Sequence, residues 1–542
     1  MPGPTTQTHP DMARLTTFSK LLITILILLA LVFGFNFLTN GKLLSGILGG
    51  GDGTATEATT TSGTDSDSGG GFFGGGKNNS SGDPIRVGVV TWGGYAGGQY
   101  FNEGFKATNE SRFKKEYGID VEFVLNDDVF SSLNAFKNGD IDVHWYTIDA
   151  LPTIMPEMAD FEPVVLWQSD WSRGGDAIVV KRSINSVADL KGKSIAVAEL
   201  TPSHSFLIWL LDAGGLKPSD VRIVAQPSAI EAAAAFKSGQ VDAAVVWSPD
   251  DELSVRAVPG SKILESTRSA SNIIADVFFA KKAYAEANRD KLQKLYEGWM
   301  KGAAEINSDP QAKQKAARIL GREMGLSEAD AMGMIDNVRL TTHGDNVNFF
   351  SQNSDFRGVT GGDLYRRMAQ EYKNLGFINV SVPPFRTIGY GGNLVTDANA
   401  RLSGGNNVAE ARADFAPVSE AEGTAREAIA TKRISINFPT GVSTLDDMAK
   451  QIIDEEFVPI AKAFGNARIR IEGNTDNTGG MATNVALSKK RAQAVAAYLT
   501  REYNMDSDRF IIVGNGPNKP IANNSSESGR AQNRRTDFEL VK

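Results

Sequence analysis

A nine-residue pattern that occurs twice constrains this chain most. Ala135-Phe136-Lys137-Asn138-Gly139-Asp140-Ile141-Asp142-Val143 returns one hundred residues later as Ala235-Phe236-Lys237-Ser238-Gly239-Gln240-Val241-Asp242-Ala243. Each copy ends a helix at a glycine suited to the left-handed C′ position, turns, and enters a strand. Each strand then finishes near a tryptophan, Trp145 and Trp247. Further apolar runs of strand length, at 85–90, 121–125, 177–180, 194–198 and 221–224, alternate with helical periodicity. Two such units predict an α/β fold of two lobes. Ligands of open α/β sheets collect at the carboxyl ends of the strands, so the cleft between lobes is the expected site.

Length and composition narrow the partners. At 542 residues the chain exceeds one hydrophobic core and implies several domains. Its net charge of -8 argues against nucleic acid, whose phosphates need a basic face. Cysteine is absent, which removes disulfides, thiolate metal sites, a Cys nucleophile and a lipidated Cys. The four histidines, His9, His144, His204 and His343, are far apart and lack metal-site spacing, so no metal and no cofactor is expected. No nucleophile–base pair stands out, and an enzyme is not expected.

Domain boundaries follow from shifts in composition. Residues 1–20 form a short N-terminus, with Arg14 and Lys20 placing it in the cytoplasm. Residues 21–40 hold an apolar run, Leu21 to Leu38, that reaches about 27 Å as a helix. A cleaved signal peptide is the alternative, but bulky Phe35, Phe37 and Leu38 follow where small residues would mark a cleavage site. The expectation is an uncleaved transmembrane signal anchor. Residues 41–83, rich in Gly, Ser and Thr, read as a flexible linker spanning on the order of 35 Å. Residues 84–388 form the two-lobed domain, 389–432 a second linker, and 433–542 a small C-terminal α/β domain.

In the middle domain Trp92, Tyr95, Trp145, Tyr146 and Trp247 all fall just after or at the ends of expected strands, where they offer a stacking or cation-caging surface. Thr201 and Pro202 start a helix whose free N–H groups favour an anion, with Ser203 and His204 in its first turn. Asp149, Asp250 and Asp251 favour a cation instead, and both signs stay open. Thr91-Trp92-Gly93-Gly94-Tyr95, the two repeated turns, Val187-Ala188-Asp189-Leu190-Lys191-Gly192-Lys193, Thr201-Pro202-Ser203-His204-Ser205 and Trp247-Ser248-Pro249 together resemble the type II periplasmic solute-binding proteins of ABC transporters. The group for nitrate, sulfonates and thiamine-precursor pyrimidines is the most similar. That resemblance implies capture of a small solute by Trp92, Gly93, Tyr95, Trp145, Tyr146, Thr201, Ser203, His204 and Trp247.

In the C-terminal domain Asp476 follows an alternating strand and Arg491 lies on the next helix, a carboxylate and a guanidinium suited to the two ends of a zwitterion. With Gly473-Asn474-Thr475-Asp476-Asn477, Asn484 and Asn533-Arg534-Arg535, the segment resembles the peptidoglycan-binding domain of the OmpA C-terminal family. The resemblance implies that Asp476 and Arg491 clamp the amine and carboxylate of diaminopimelate in peptidoglycan, helped by Asn484 and Arg535. Asn474 departs from the family, which usually carries His there.

The modules in order imply a protein of the inner membrane, single-pass, with its bulk in the periplasm of a Gram-negative-type bacterium. Its expected role is to capture a solute and pass it to an ABC permease. An envelope sensor or scaffold linking inner membrane to peptidoglycan is the alternative.

Overall fold

The structure is a computed structural model that describes residues 82–541, apart from 412, 435, 437 and 439–441. The expected anchor at 21–40 and nearly all of the linker at 41–83 lie outside the described residues. Among the described residues no helix is long and apolar enough to cross a membrane.

The first lobe is built on a sheet containing β1 (Ile85–Val89), β2 (Val121–Leu125), β3 (Val143–Thr147), β4 (Pro163–Ser172), β10 (Ala275–Lys281) and β11 (Val338–Leu340), in the order β11-β4-β10-β3-β1-β2. The second contains β5 (Asp176–Val180), β6 (Ser194–Ala198), β7 (Arg222–Gln226), β8 (Ala243–Trp247) and β9 (Lys262–Ser266), in the order β7-β6-β8-β5-β9. Each has a parallel trio, β2-β1-β3 or β7-β6-β8, flanked on the side of its third strand by an antiparallel strand, β10 or β5.

The repeated sequence pattern produces this duplication. Gly139 and Gly239 adopt φ of 85° and 77°, the left-handed region that ends each helix cheaply only for glycine. Asp142 then accepts the Arg86 backbone N–H at 2.9 Å, and Asp242 accepts that of Ser194 at 3.0 Å. In both lobes the aspartate ties the entry of the third strand to the first.

Two segments join the lobes, 173–175 between β4 and β5 and 267–274 between β9 and β10. They are bound together: the hydroxyls of Ser172 and Thr267 lie 2.7 Å apart, and Gly174 N–H donates to Thr267 Oγ1 at 2.8 Å. The helices Arg289–Ser308, Pro310–Met324 and Glu328–Asp336 cover the first lobe, where Trp299 packs against Phe278, Trp167 and Phe123.

Residues 389–432, expected as a linker, differ from that expectation. Gly391–Leu402 is a helix whose Leu394, Val395, Ala398 and Leu402 recur at helical spacing and are buried in the first-lobe core. The C-terminal sheet contains β12 (Ala428–Ile434), β13 (Arg468–Asn474), β14 (Phe510–Gly516) and β15 (Thr536–Val541), in the order β12-β15-β13-β14. Its long helix is Met481–Tyr503.

The C-terminal domain packs directly on the second lobe and on the longer crossing segment. Lys432 Nζ reaches Asp212 at 2.6 Å, Asn272 N–H donates to Ala463 O at 2.9 Å, and Asn466 Nδ2 donates to Arg268 O at 3.2 Å.

Candidate functional site

Between the lobes, at the carboxyl ends of β1, β3 and β8, lies a narrow cavity of about 20 Å³, room for little more than a water. The first lobe gives it Val90, Trp92, Tyr95, Trp145, Thr147, Ile274 and Asp276; the second gives Asp176, Pro202 and Trp247. Three of the four aromatics are held by a polar bond. Trp92 Nε1 donates to Asp170 Oδ2 at 3.2 Å, Tyr95 Oη donates to Asp276 Oδ1 at 2.9 Å, and Trp247 Nε1 donates to Ser203 Oγ at 2.9 Å. Trp145 stands 6.1 Å from Tyr95, ring to ring. The fit depends on two glycines. A Cβ at Gly94 would overlap the Asp170 carboxylate, and one at Gly175 would overlap the Trp92 ring.

Burial dominates the electrostatics. Asp170 and Asp276 face one another as register partners on adjacent strands β4 and β10, where like charges repel. Desolvation raises both carboxyls, Asp276 the more strongly, and so close a pair shares its protons. Burial also lifts Asp149 and Asp176 to about 7. Burial, the charge of Asp276 and that of Asp170 push the Tyr95 hydroxyl well above its usual range, so it stays a donor.

Of the residues expected to line the cleft, Trp92, Tyr95, Trp145 and Trp247 meet there. Gly93 lies beside them, closed against the Met334 carbonyl. Ser203 acts through Trp247. Tyr146 points the other way because side chains alternate along β3, and its hydroxyl donates to Leu200 O at 3.4 Å. Thr201 turns its hydroxyl back to Ala198 O at 2.7 Å rather than capping the helix Pro202–Ala213. His204 is buried away from the cavity, 5.5 Å from the Tyr372 ring and 5.1 Å from that of Phe377, and burial lowers it to about 4.

Sequence reasoning missed Asp170, Asp176, Asp276 and Thr147. A partial signal existed: Asp276 precedes the apolar run 277–280 and Asp170 lies between Trp167 and Trp171, in strands whose residues are almost all buried, and carboxylates are rarely fully buried without a partner. Among the described residues no group of three or more His, Asp or Glu is arranged to hold a metal ion.

In the C-terminal domain Asp476 sits at the exit of β13. Its Oδ2 accepts from Arg534 Nη1 at 2.7 Å and its Oδ1 from Thr478 N–H at 2.8 Å. Burial opposes ionisation of Asp476, but the Arg534 bond and the Thr478 N–H outweigh it and lower the carboxyl. Asn484 Nδ2 shapes the loop by donating to Thr478 O at 3.0 Å. Arg491 donates to Val442 O at 3.1 Å and lies 4.8 Å over the Phe438 ring, close enough for the Asp476 charge to act on it.

Arg535 is elsewhere. It forks onto Asp537 at 3.0 and 2.9 Å inside the domain, because consecutive residues leaving the helix Glu527–Asn533 point in opposite directions. Its neighbour Arg534 occupies the place expected for it. Asn474 is buried and donates to Asp537 at 3.1 Å.

Two lobes of β2-β1-β3 type, joined by paired crossing segments over an aromatic cavity, define the middle of the chain as an α/β periplasmic-binding-protein fold. The chain carries an NMT1/THI5-like domain, matched over residues 104–313, and a C-terminal OmpA family domain, matched over residues 437–534. The taurine-binding periplasmic protein of Escherichia coli K12 is 27% identical over 237 residues, 42% of this chain and 72% of that protein. The peptidoglycan-binding protein ArfA of Mycobacterium bovis is 45% identical over 77 residues, 14% of this chain. The chain spans only 23% of that relative's length. The crystal structure of the periplasmic aliphatic sulphonate binding protein SsuA from Escherichia coli superposes with a TM-score of 0.46 at 20% identity, covering 58% of this chain and all of that one.

Proposed function

We propose that this chain is a solute-binding protein of the type II class serving an ABC importer, held in the envelope at both ends. Residues 21–40 anchor it in the inner membrane and residues 433–542 grip peptidoglycan. The observation that carries the reading is the cavity walled by tryptophan and tyrosine from both lobes. Such a site works by enclosure: the lobes part about the crossing segments 173–175 and 267–274, admit a small molecule and close, with a few aimed polar groups setting orientation. The likeness to the taurine-binding protein supports capture of a small organic solute. In the OmpA domain, Asp476 takes an amine and Arg491 a carboxylate of diaminopimelate, and Arg534 holds Asp476 ionised.

Titrating the full-length chain with candidate solutes while following tryptophan emission tests capture, because Trp92, Trp145 and Trp247 all border the cavity. Emission that never moves with any solute ends this reading. For the wall grip, Asp476→Ala combined with Arg491→Ala is expected to abolish pelleting with purified sacculi; pelleting equal to wild type refutes it.

One observation favours a second role, an envelope sensor. The OmpA domain bonds to the backbone of the crossing segment at Arg268 and Asn272, so a change in lobe angle moves the wall grip. Sacculus affinity that changes with solute saturation supports this role, and by reciprocity solute affinity changes equally on sacculi.

A further inference from the structure

The titratable side chains around the cavity are carboxyls and one tyrosine. Asp276 and Asp176 line the space, and Asp170 stands behind Trp92 as the register partner of Asp276. All three are buried, and so is Asp149 nearby. The charged groups acting on Asp170 and Asp276 are each other, Asp149 and Asp176; on Asp176 it is Asp251; on Tyr95 it is Asp276, Asp170 and Asp127. Every one is acidic. Among the described residues none of these four carboxylates forms an ion pair with Lys or Arg, although ion pairs are plentiful elsewhere in the chain.

Two further polar groups face the same space without partners. Thr147 Oγ1 and Trp145 Nε1 belong to residues 2% and 3% exposed, border the cavity, and have no hydrogen-bond partner in the protein. Buried donors and acceptors left unmade cost about 1–3 kcal/mol each, so a site that keeps them is built for something to complete it.

We propose that the cleft takes a small organic cation, a solute whose ammonium or quaternary-amine group lies between Asp276 and Asp176 against the rings of Trp92, Tyr95, Trp145 and Trp247. A hydroxyl or other acceptor on the same molecule meets the Trp145 indole and the Thr147 hydroxyl. This assignment rests on the solute-capture reading. Aromatic faces and carboxylates act together here, since both attract a desolvated positive charge. The repulsion between Asp170 and Asp276 is relieved by the arriving cation, which displaces the proton the pair shares. A simple anion meets two carboxyls and no Lys, Arg or His side chain in the cavity wall.

Calorimetric titration of the full-length chain with choline, ethanolamine, taurine, ethanesulfonate and nitrate tests it. Choline, ethanolamine or taurine is expected to bind, with an enthalpy at pH 7 that scales with the buffer's ionisation enthalpy because a proton is released. Ethanesulfonate and nitrate are expected not to bind. Asp276→Asn should weaken amine binding by about 30-fold or more; if that variant does not fold, Asp176→Asn makes the same demand from the other lobe. Binding of ethanesulfonate or nitrate as tight as that of any amine overturns the cation assignment but leaves solute capture standing. Binding of potassium or calcium alone also overturns it. Silence from all probes overturns both.

Discussion

Asp276 and Asp476 are the same residue type in two buried settings, with opposite outcomes. Asp476 lies beside Arg534 and a loop N–H, and these hold it ionised despite burial. Asp276 faces Asp170 and has only the Tyr95 hydroxyl as donor, so burial holds it in the acid form. The first is complete without a ligand and presents a fixed charge beside Arg491. The second is incomplete and gains most from a positive guest. The partner of Asp476 lies 58 residues along the chain and that of Asp276 lies 181 away, so the fold assembles both sites.

Breaking the pairing itself has the largest expected effect. Arg535→Ala strands Asp537 inside the C-terminal domain and should cost about 3–5 kcal/mol in urea unfolding of that domain. Arg534→Ala, next in sequence but half exposed, should leave that stability within about 1 kcal/mol. If the two variants behave alike, the separation of the buried Arg535 pair from the more exposed Arg534 pair is wrong.

The unpaired carboxylates predict a pH signature of intermediate size. Asp176 binds its proton up to about 7 when folded but only near 3.8 when unfolded. Between those values the folded state holds more protons, so stability contributed at this site is full in acid and is lost as pH rises toward 7. Relative to Asp176→Asn, the wild type should lose about 2 kcal/mol between pH 5 and 8. Buried His144 and His204, each lowered to about 4, act in the reverse sense but are common to both proteins. Parallel stability curves would show that Asp176 titrates normally.

For ligand binding the sign is opposite, because loss of the proton frees the carboxylate charge. Affinity for a cationic probe should rise as pH passes upward through about 7, while sacculus binding through Asp476 stays flat there. The smallest effect is expected from Arg534→Ala on Asp476 itself. Its carboxyl should titrate higher by about one unit or less, read by carbon-detected NMR.

Much of the fold was legible because it repeats. The Phe-Lys-x-Gly-x-x-Asp turns marked two α/β units, and their glycines and aspartates do in both lobes what turn chemistry demands. The order Asn-Thr-Asp followed by a helix carrying Arg491 was likewise local, and the loop forms around it. What resisted reading was set by direction and by distance. Tyr146 and Arg535 are each one residue from a side chain that does reach its site, and alternation turned them away. Gly391–Leu402 looked like linker because Gly and Asn interrupt it, yet four aliphatic residues at helical spacing were enough to seat it in the core. The acidic pair arises from strands more than one hundred residues apart, and nothing local to Asp170 announces Asp276.

The bonds from Ala463 and Asn466 to the backbone at Asn272 and Arg268 carry a mechanical consequence. On the proposed wall grip, a pull on the cell wall would load the pivot of the two lobes as well as the second lobe itself at Asp212. Turgor and solute occupancy would then strain the same short stretch of backbone, which is what the proposed sensor role requires.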